Sequence, residues 1–257
     1  MAEPTLTDSH AHVFWRDFDA DRAETFARAR EAGVERMVLV GTNLETSRAA
    51  FELAAAETGV YPTAGIHPHD TAEAAPGDFG AVAELCRRAE CVGVGETGLD
   101  FFRSYSPRAD QQRSFHAHLE LAAELDKPVI VHCRDAHDAT LGVLREHRGV
   151  RGVMHCFTMG AAELPGYLDL GFYVSFSGVV TFPRNDANRE AARAVPADRL
   201  LVETDCPFLA PQGRRGGRNE PAFVRLVAEC LAAERGVPLE ELARQTHENA
   251  GRLFGLA

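Results

Sequence analysis

His10 and His12 are separated by a single residue. In an extended segment, residues two apart point to the same side, so both imidazoles can reach one ion. Further single histidines and carboxylates stand directly behind short apolar runs: Glu96 after CVGVG, His132 after PVIV, His155 after VRGVM, and Asp205 after LLVET. Imidazole and carboxylate together suit Zn²⁺, Mn²⁺ or Fe²⁺, with Mg²⁺ at a site richer in carboxylate. One or two such ions would activate water for hydrolysis, and a bridging carboxylate such as Glu96 would let two ions clamp the attacking and leaving oxygens of a phosphodiester. A lone His or Asp at a strand end is more often a solvated or capping group. Several gathered together would repel one another without a cation, and that convergence is what points to metal. His116 and His118 repeat the spacing of His10 and His12, but their segment QQRSFHAHLELAAEL reads as helix. Two residues on a helix span roughly 200°, so this pair cannot share an ion, and His118 reads as a packing residue.

These groups need elements that bring them together. Short apolar runs rich in β-branched residues alternate with helical patterns, which is the signature of βα units around a parallel sheet. Strands are expected near residues 5–10, 35–41, 60–66, 91–96, 128–132, 150–156, 172–176 and 199–204, with crossover helices over stretches such as 19–32, 44–56, 108–125 and 220–234. Eight such units predict an α/β protein folded as a single-domain (β/α)8 TIM barrel over residues 1–257. His10, Glu96, His132, His155 and Asp205 then fall at the C-terminal ends of different strands, where TIM-barrel enzymes keep their active sites. An open doubly wound sheet is the alternative, but no GxGxxG or GxxxxGK[ST] segment follows the first strand.

The composition, 45% hydrophobic and 25% charged, is that of a globular chain. A net charge of −11 argues against broad coating of nucleic acid, so any such contact must be local. The opening MAEPTLTDSHAHVF has no basic segment followed by an apolar stretch, and no apolar run reaches membrane-spanning length. A cytoplasmic protein with no membrane contact is expected. The six cysteines form no CxxC pair and read as free thiols. Cys133, Cys156 and Cys206 each follow a candidate ligand and should turn to the opposite face of their strands.

Taken in order, DSHAHV (8–13), GIHPH (65–69), GETGLDF (95–101), PVIVHCRDA (128–136), HCFT (155–158), SFSGVVTF (175–182), ETDCPFL (203–209) and RGGRNEP (215–221) resemble the TatD-type metal-dependent deoxyribonucleases of the amidohydrolase-like barrels. The resemblance covers nearly the whole chain. It implies that His10, His12, Glu96, His132, His155 and Asp205 are metal ligands, that His67 is a further active-site histidine, and that the activity is that of an exonuclease-like DNase. Asp205, by this resemblance and its place after the eighth strand, is assigned the proton of the nucleophilic water, with Glu96 and His67 beside it in catalysis. Two positions depart from the family pattern: HCFSG reads HCFTM, and the aromatic after GLD, often Tyr, is Phe101, which cannot donate a hydrogen bond.

The stretch PQGRRGGRNEP follows the eighth strand and places Arg214, Arg215 and Arg218 on a Gly-rich loop, and Arg103 and Arg134 lie just beyond Glu96 and His132. Guanidinium groups grip phosphate oxygens, so these five are candidate contacts to DNA. Nothing reads as a major-groove recognition element, which favours single strands or strand ends as substrate. A hydrolase of small esters, amides or lactones, and a metal-stabilised DNA-binding protein without turnover, are the competing functions. DNA and ester assays run in parallel separate them.

Overall fold

The computed structural model describes residues 4–256. The strands are β1 (Leu6–Ala11), β2 (Val34–Val40), β3 (Val60–Thr63), β4 (Val94–Asp100), β5 (Val129–Arg134), β6 (Gly152–Met154), β7 (Tyr173–Phe176) and β8 (Leu200–Val202). The helices alternating with them are α1 (Arg22–Glu31), α2 (Leu44–Ala56), α3 (Asp78–Arg87), α4 (Arg108–Leu125), α5 (His137–Glu146), α6 (Leu164–Leu168), α7 (Asp186–Ala194), α8 (Val224–Arg235) and α9 (Leu239–Phe254).

The chain divides into two compact units that interleave in sequence. The first takes residues up to Leu39, Cys156–Pro165 and Tyr173 onward, and the second takes Val40–His155 and Gly166–Phe172. In the first unit β1 runs parallel to β2, with Leu6 opposite Val34, and β7 runs parallel to β8, with Val174 opposite Leu200. A bridge between Ala11 and Cys206 joins the extension of β8 to the end of β1, which gives the order β7-β8-β1-β2. In the second unit β4, β5 and β6 are parallel neighbours, and Ala64, just past β3, bridges Val94. Its order is β3-β4-β5-β6. All pairings within each unit are parallel, as expected where helices return the chain after every strand.

Local chemistry sets the boundaries. Asn43 caps α2 by accepting the Thr46 amide while Thr46 Oγ1 accepts the Asn43 amide, a reciprocal capping box. Gly236 and Gly255 end α8 and α9 in the left-handed conformation. Strand interiors such as Val129, Ile130 and Val131, or Leu200, Leu201 and Val202, are buried and form the apolar core.

Several strand ends differ from their sequence-based expectation: β3, β6 and β8 stop at Thr63, Met154 and Val202, short of 66, 156 and 204, while β5 runs on to Arg134, past 132, and β4 departs furthest. β4 runs to Asp100 rather than ending at Glu96, and all seven of its residues are buried although five of them are Gly, Glu, Thr, Gly and Asp. Gly98 makes this possible: a Cβ there would lie 2.1 Å from the His132 carbonyl oxygen, so only glycine lets β4 approach β5 so closely. Glu96 and His132 therefore lie within their strands, whereas His155 follows β6 directly and Asp205 lies beyond β8. Among the described residues no helix is long and apolar enough to cross a membrane.

Candidate metal centre

In the first unit three side chains converge: His10 near the end of β1, His12 just past it, and Asp205 beyond β8. His10 and His12 direct Nε2 at Nε2 across 3.1 Å, and Asp205 Oδ1 lies 3.4 Å from His12 Nε2 and 3.7 Å from His10 Nε2. Two imidazoles and one carboxylate in so small a triangle have the donor set and spacing of a chelate. Asp205 is held there by the backbone: its amide donates to the His10 carbonyl at 2.9 Å, and its φ of 57° is a left-handed conformation uncommon outside glycine. Asp8 braces the arrangement from below. Its two carboxylate oxygens accept the Thr204 amide at 2.9 Å and the Thr204 hydroxyl at 2.6 Å, which locks β8 to β1 beside both histidines. Burial raises the Asp8 pKa to about 7 despite the bonds from Thr204 and the His10 amide.

In the second unit the centre of the group is Glu96. Its Oε1 lies 2.9 Å from His155 Nε2, 3.1 Å from His132 Nδ1 and 3.3 Å from His67 Nε2. His67, Glu96 and His132 offer three donor atoms within 4.8 Å of one another. The far side of the His132 ring bears on its chemistry: Nε2 sits 3.2 Å from Asp100 Oδ2, so a neutral ring that keeps its proton there leaves Nδ1, on the Glu96 side, as the nitrogen for an ion. Asp100 Oδ2 also lies 2.7 Å from His69 Nε2. Burial favours the neutral form of Asp100, but the bonds from His132, the Arg103 amide and His69 outweigh it and hold the carboxyl well below the usual range. Burial likewise opposes protonation of His132, yet Asp100 and Glu96 together carry its pKa upward.

His67 differs from its neighbours. Its Nδ1 accepts the His69 amide at 3.1 Å, so the proton sits on Nε2 and points at Glu96. Burial lowers its pKa to about 4 despite the nearby Glu96 charge, so the ring is neutral at physiological pH. His67 is therefore arranged to orient Glu96 by hydrogen bonding rather than to offer Nε2 to an ion. Asp8, His69, Asp100 and Glu203 belong to these groups although sequence reasoning did not single them out. Glu203 is fully buried and accepts the Cys156 amide at 2.6 Å. Their one signal was a place inside the quoted motifs, with nothing to mark them apart from neighbours.

The arginines separate into two kinds. Arg218 is tied to Asp21 by bonds of 2.6 and 2.8 Å, and its neighbour Asn219 is buried, donating to the carbonyls of Thr204 and Phe208. These residues anchor the loop after β8. Arg214 and Arg215 stay exposed, their guanidinium groups 5.0 Å from the Phe223 ring and 4.5 Å from the Phe182 ring. In the second unit Arg103 and Arg134 are also exposed, and both lie over the ring of Phe102. His118 is fully buried, accepting the Ile66 amide on Nε2 at 3.0 Å, as a packing residue should be. Among the described residues all six cysteines are free, and Cys206 is buried.

A family profile described as TatD related DNase matches residues 7–255. The uncharacterized metal-dependent hydrolase YcfH of Escherichia coli (strain K12) is 42% identical over 254 residues, covering 97% of this chain and 95% of the relative. The protein named 3'-5' ssDNA/RNA exonuclease TatD from Klebsiella pneumoniae (strain 342) is 42% identical over 246 residues, covering 93% of this chain and 94% of the relative. Among solved structures, that of YJJV, a TatD homolog from Escherichia coli K12, superposes with a TM-score of 0.93 at 28% identity, covering 98% of both chains. A TatD family hydrolase from Entamoeba histolytica, 20% identical and covering 99% of both chains at a TM-score of 0.87, shares the fold. The fold class is thus the α/β TIM barrel expected from the strand pattern, and the chain belongs to the TatD-related DNase family of metal-dependent hydrolases.

Proposed function

We propose that the protein is a cytoplasmic, divalent-metal-dependent DNase that removes nucleotides from single strands or strand ends. The observation that carries this is Glu96: a buried carboxylate whose Oε1 lies within 3.1 Å of a nitrogen of His132 and one of His155, a mixed imidazole and carboxylate donor set that suits Zn²⁺ or Mn²⁺, with Mg²⁺ the choice where carboxylate dominates. His10, His12 and Asp205 of the first unit and Glu96, His132 and His155 of the second are the proposed ligands. When bound, one or two such ions supply Lewis acidity toward a phosphodiester oxygen and acidify water at neutral pH.

The chain's own residues do the rest. Asp205 takes the proton of the attacking water, since a carboxylate beside a cation stays ionised and able to accept it. Neutral His67 donates its Nε2–H to Glu96 and so orients that carboxylate. Exposed Arg103, Arg134, Arg214 and Arg215 hold phosphates, while Arg218 fixes the loop that carries the latter pair. That a relative so similar is named an exonuclease of single-stranded DNA and RNA supports the choice of bond and strand. The experiment is incubation of end-labelled single-stranded DNA with the protein and Mg²⁺, Mn²⁺ or Zn²⁺. Stepwise shortening that stops on chelation and returns with the ion is the expected result, and turnover of small esters with intact DNA would replace this proposal with an esterase.

A further inference from the structure

Phe102 and Tyr105 are two of the three large hydrophobic side chains exposed among the described residues, at 53% and 64% exposure. They occupy the loop between β4 and α4, the strand that carries Glu96. Two charged groups frame Phe102: the guanidinium of Arg134 lies 4.0 Å from its ring centroid and that of Arg103 lies 5.6 Å away. Tyr105 sets its ring edge-on against His69, with centroids 4.9 Å apart.

The loop is fixed. Asp100 Oδ1 accepts the amides of Phe102 at 2.9 Å and Arg103 at 2.8 Å, while its other oxygen faces His132 and His69. Ser106 donates to the His69 carbonyl at 2.7 Å and accepts the Ala72 amide at 3.0 Å. The carboxylate that faces a candidate metal ligand therefore also holds the backbone from which the exposed phenyl ring projects. Rigid aromatic faces in water, interleaved with cations on a chain of net charge −11, have the chemistry that suits bases joined by phosphates. Every base offers a π face, so such a surface takes single strands without reading sequence.

We infer that Phe102 and Tyr105, with Arg103 and Arg134 between and beside them, form a stacking platform that holds the bases of single-stranded DNA next to the Glu96 group. The inference rests on the nuclease function proposed above and names the part of the substrate that this surface holds. A second copy of the chain is the other occupant such a surface could take.

The test is fluorescence polarisation of the full-length protein in Mg²⁺ with a ten-nucleotide oligothymidylate whose phosphorothioate linkages resist hydrolysis, beside the same backbone carrying abasic sites. Phe102→Ala and Tyr105→Ala should each weaken oligothymidylate binding by about five- to a hundredfold, the range for loss of one stacked base. Phe102→Trp should retain binding, and the abasic strand should bind weakly to wild type and to both alanine variants alike. Equal affinity of wild type for the two strands, or oligothymidylate binding unchanged in both alanine variants, would overturn the platform, as would a dimer that only the alanine variants dissociate. Cleavage of ordinary DNA separates the two proposals. Base-dependent binding without cleavage keeps the platform and removes the nuclease, whereas cleavage with KM unchanged in the alanine variants does the reverse.

Discussion

His132 Nε2 lies 3.2 Å from Asp100 Oδ2, and this hydrogen bond decides which nitrogen of the ring remains available as a ligand. A neutral ring that keeps its proton on the Asp100 side leaves Nδ1, on the side of Glu96 and His155, as the nitrogen for an ion. Asp100→Ala frees the ring to adopt the other tautomer. It should weaken Mn²⁺ or Zn²⁺ binding by about 10- to 100-fold, the usual effect of removing a carboxylate behind a ligating histidine. Calorimetric titration of the metal measures this directly, and unaltered affinity would remove Asp100 from that role.

Asp205→Asn keeps size and one coordinating oxygen but removes the basic group. Turnover should fall by about 10²- to 10⁴-fold, the range for loss of a general base, while metal content and DNA affinity stay near normal. Elemental analysis, polarisation and a rate measurement on this one variant check the assignment. Loss of metal along with rate would make Asp205 chiefly a ligand.

Arg214 and Arg215 should behave unlike Arg218. Replacing the exposed pair with alanine should reduce the slope of log affinity for single-stranded DNA against log salt by about 0.7 for each phosphate that is no longer neutralised. Arg218→Ala removes one of the two arginines bonded to Asp21, Arg28 being the other, and should instead lower the melting temperature. A drop in melting temperature for the exposed pair, with the slope untouched, would reverse these roles.

His118 makes a stability prediction with a definite sign. Burial lowers its folded pKa to about 4, below the unfolded value near 6.5. Protonation therefore favours the unfolded chain: the contribution of His118 is complete above pH 6.5 and is lost as pH falls toward 4, at about 1.4 kcal/mol per unit and about 3 kcal/mol in all. His118→Gln, whose Oε1 can still accept the Ile66 amide, should flatten the fall in urea-measured stability between pH 6.5 and 4. An unchanged pH profile would mean that the ring protonates without unfolding.

The strands were legible wherever one apolar run served one buried strand, as at Val129–Val131 or Leu200–Val202. At β4 they were not, because Glu96, Thr97 and Asp100 take buried positions that burial normally reserves for apolar side chains, so hydropathy placed the strand end too early. The candidate ligands could be found because each stands behind an apolar run or shares a His-x-His spacing. Asp8 could not, because its partner Thr204 lies 196 residues away, and the pairing of Arg218 with Asp21 is hidden by a separation of 197. A brace between distant segments leaves no periodic mark on either one.

The interleaving of the two units also imposes an order in time. Glu96, His132 and His155 are all present once synthesis has reached residue 155, whereas the group of His10 and His12 lacks its carboxylate until Asp205 has been made. On the ribosome the nascent chain thus carries the imidazole-rich group proposed to bind an ion before it carries the residue proposed to take the proton from water. Nothing can be hydrolysed through Asp205 until about four fifths of the 257 residues have been made.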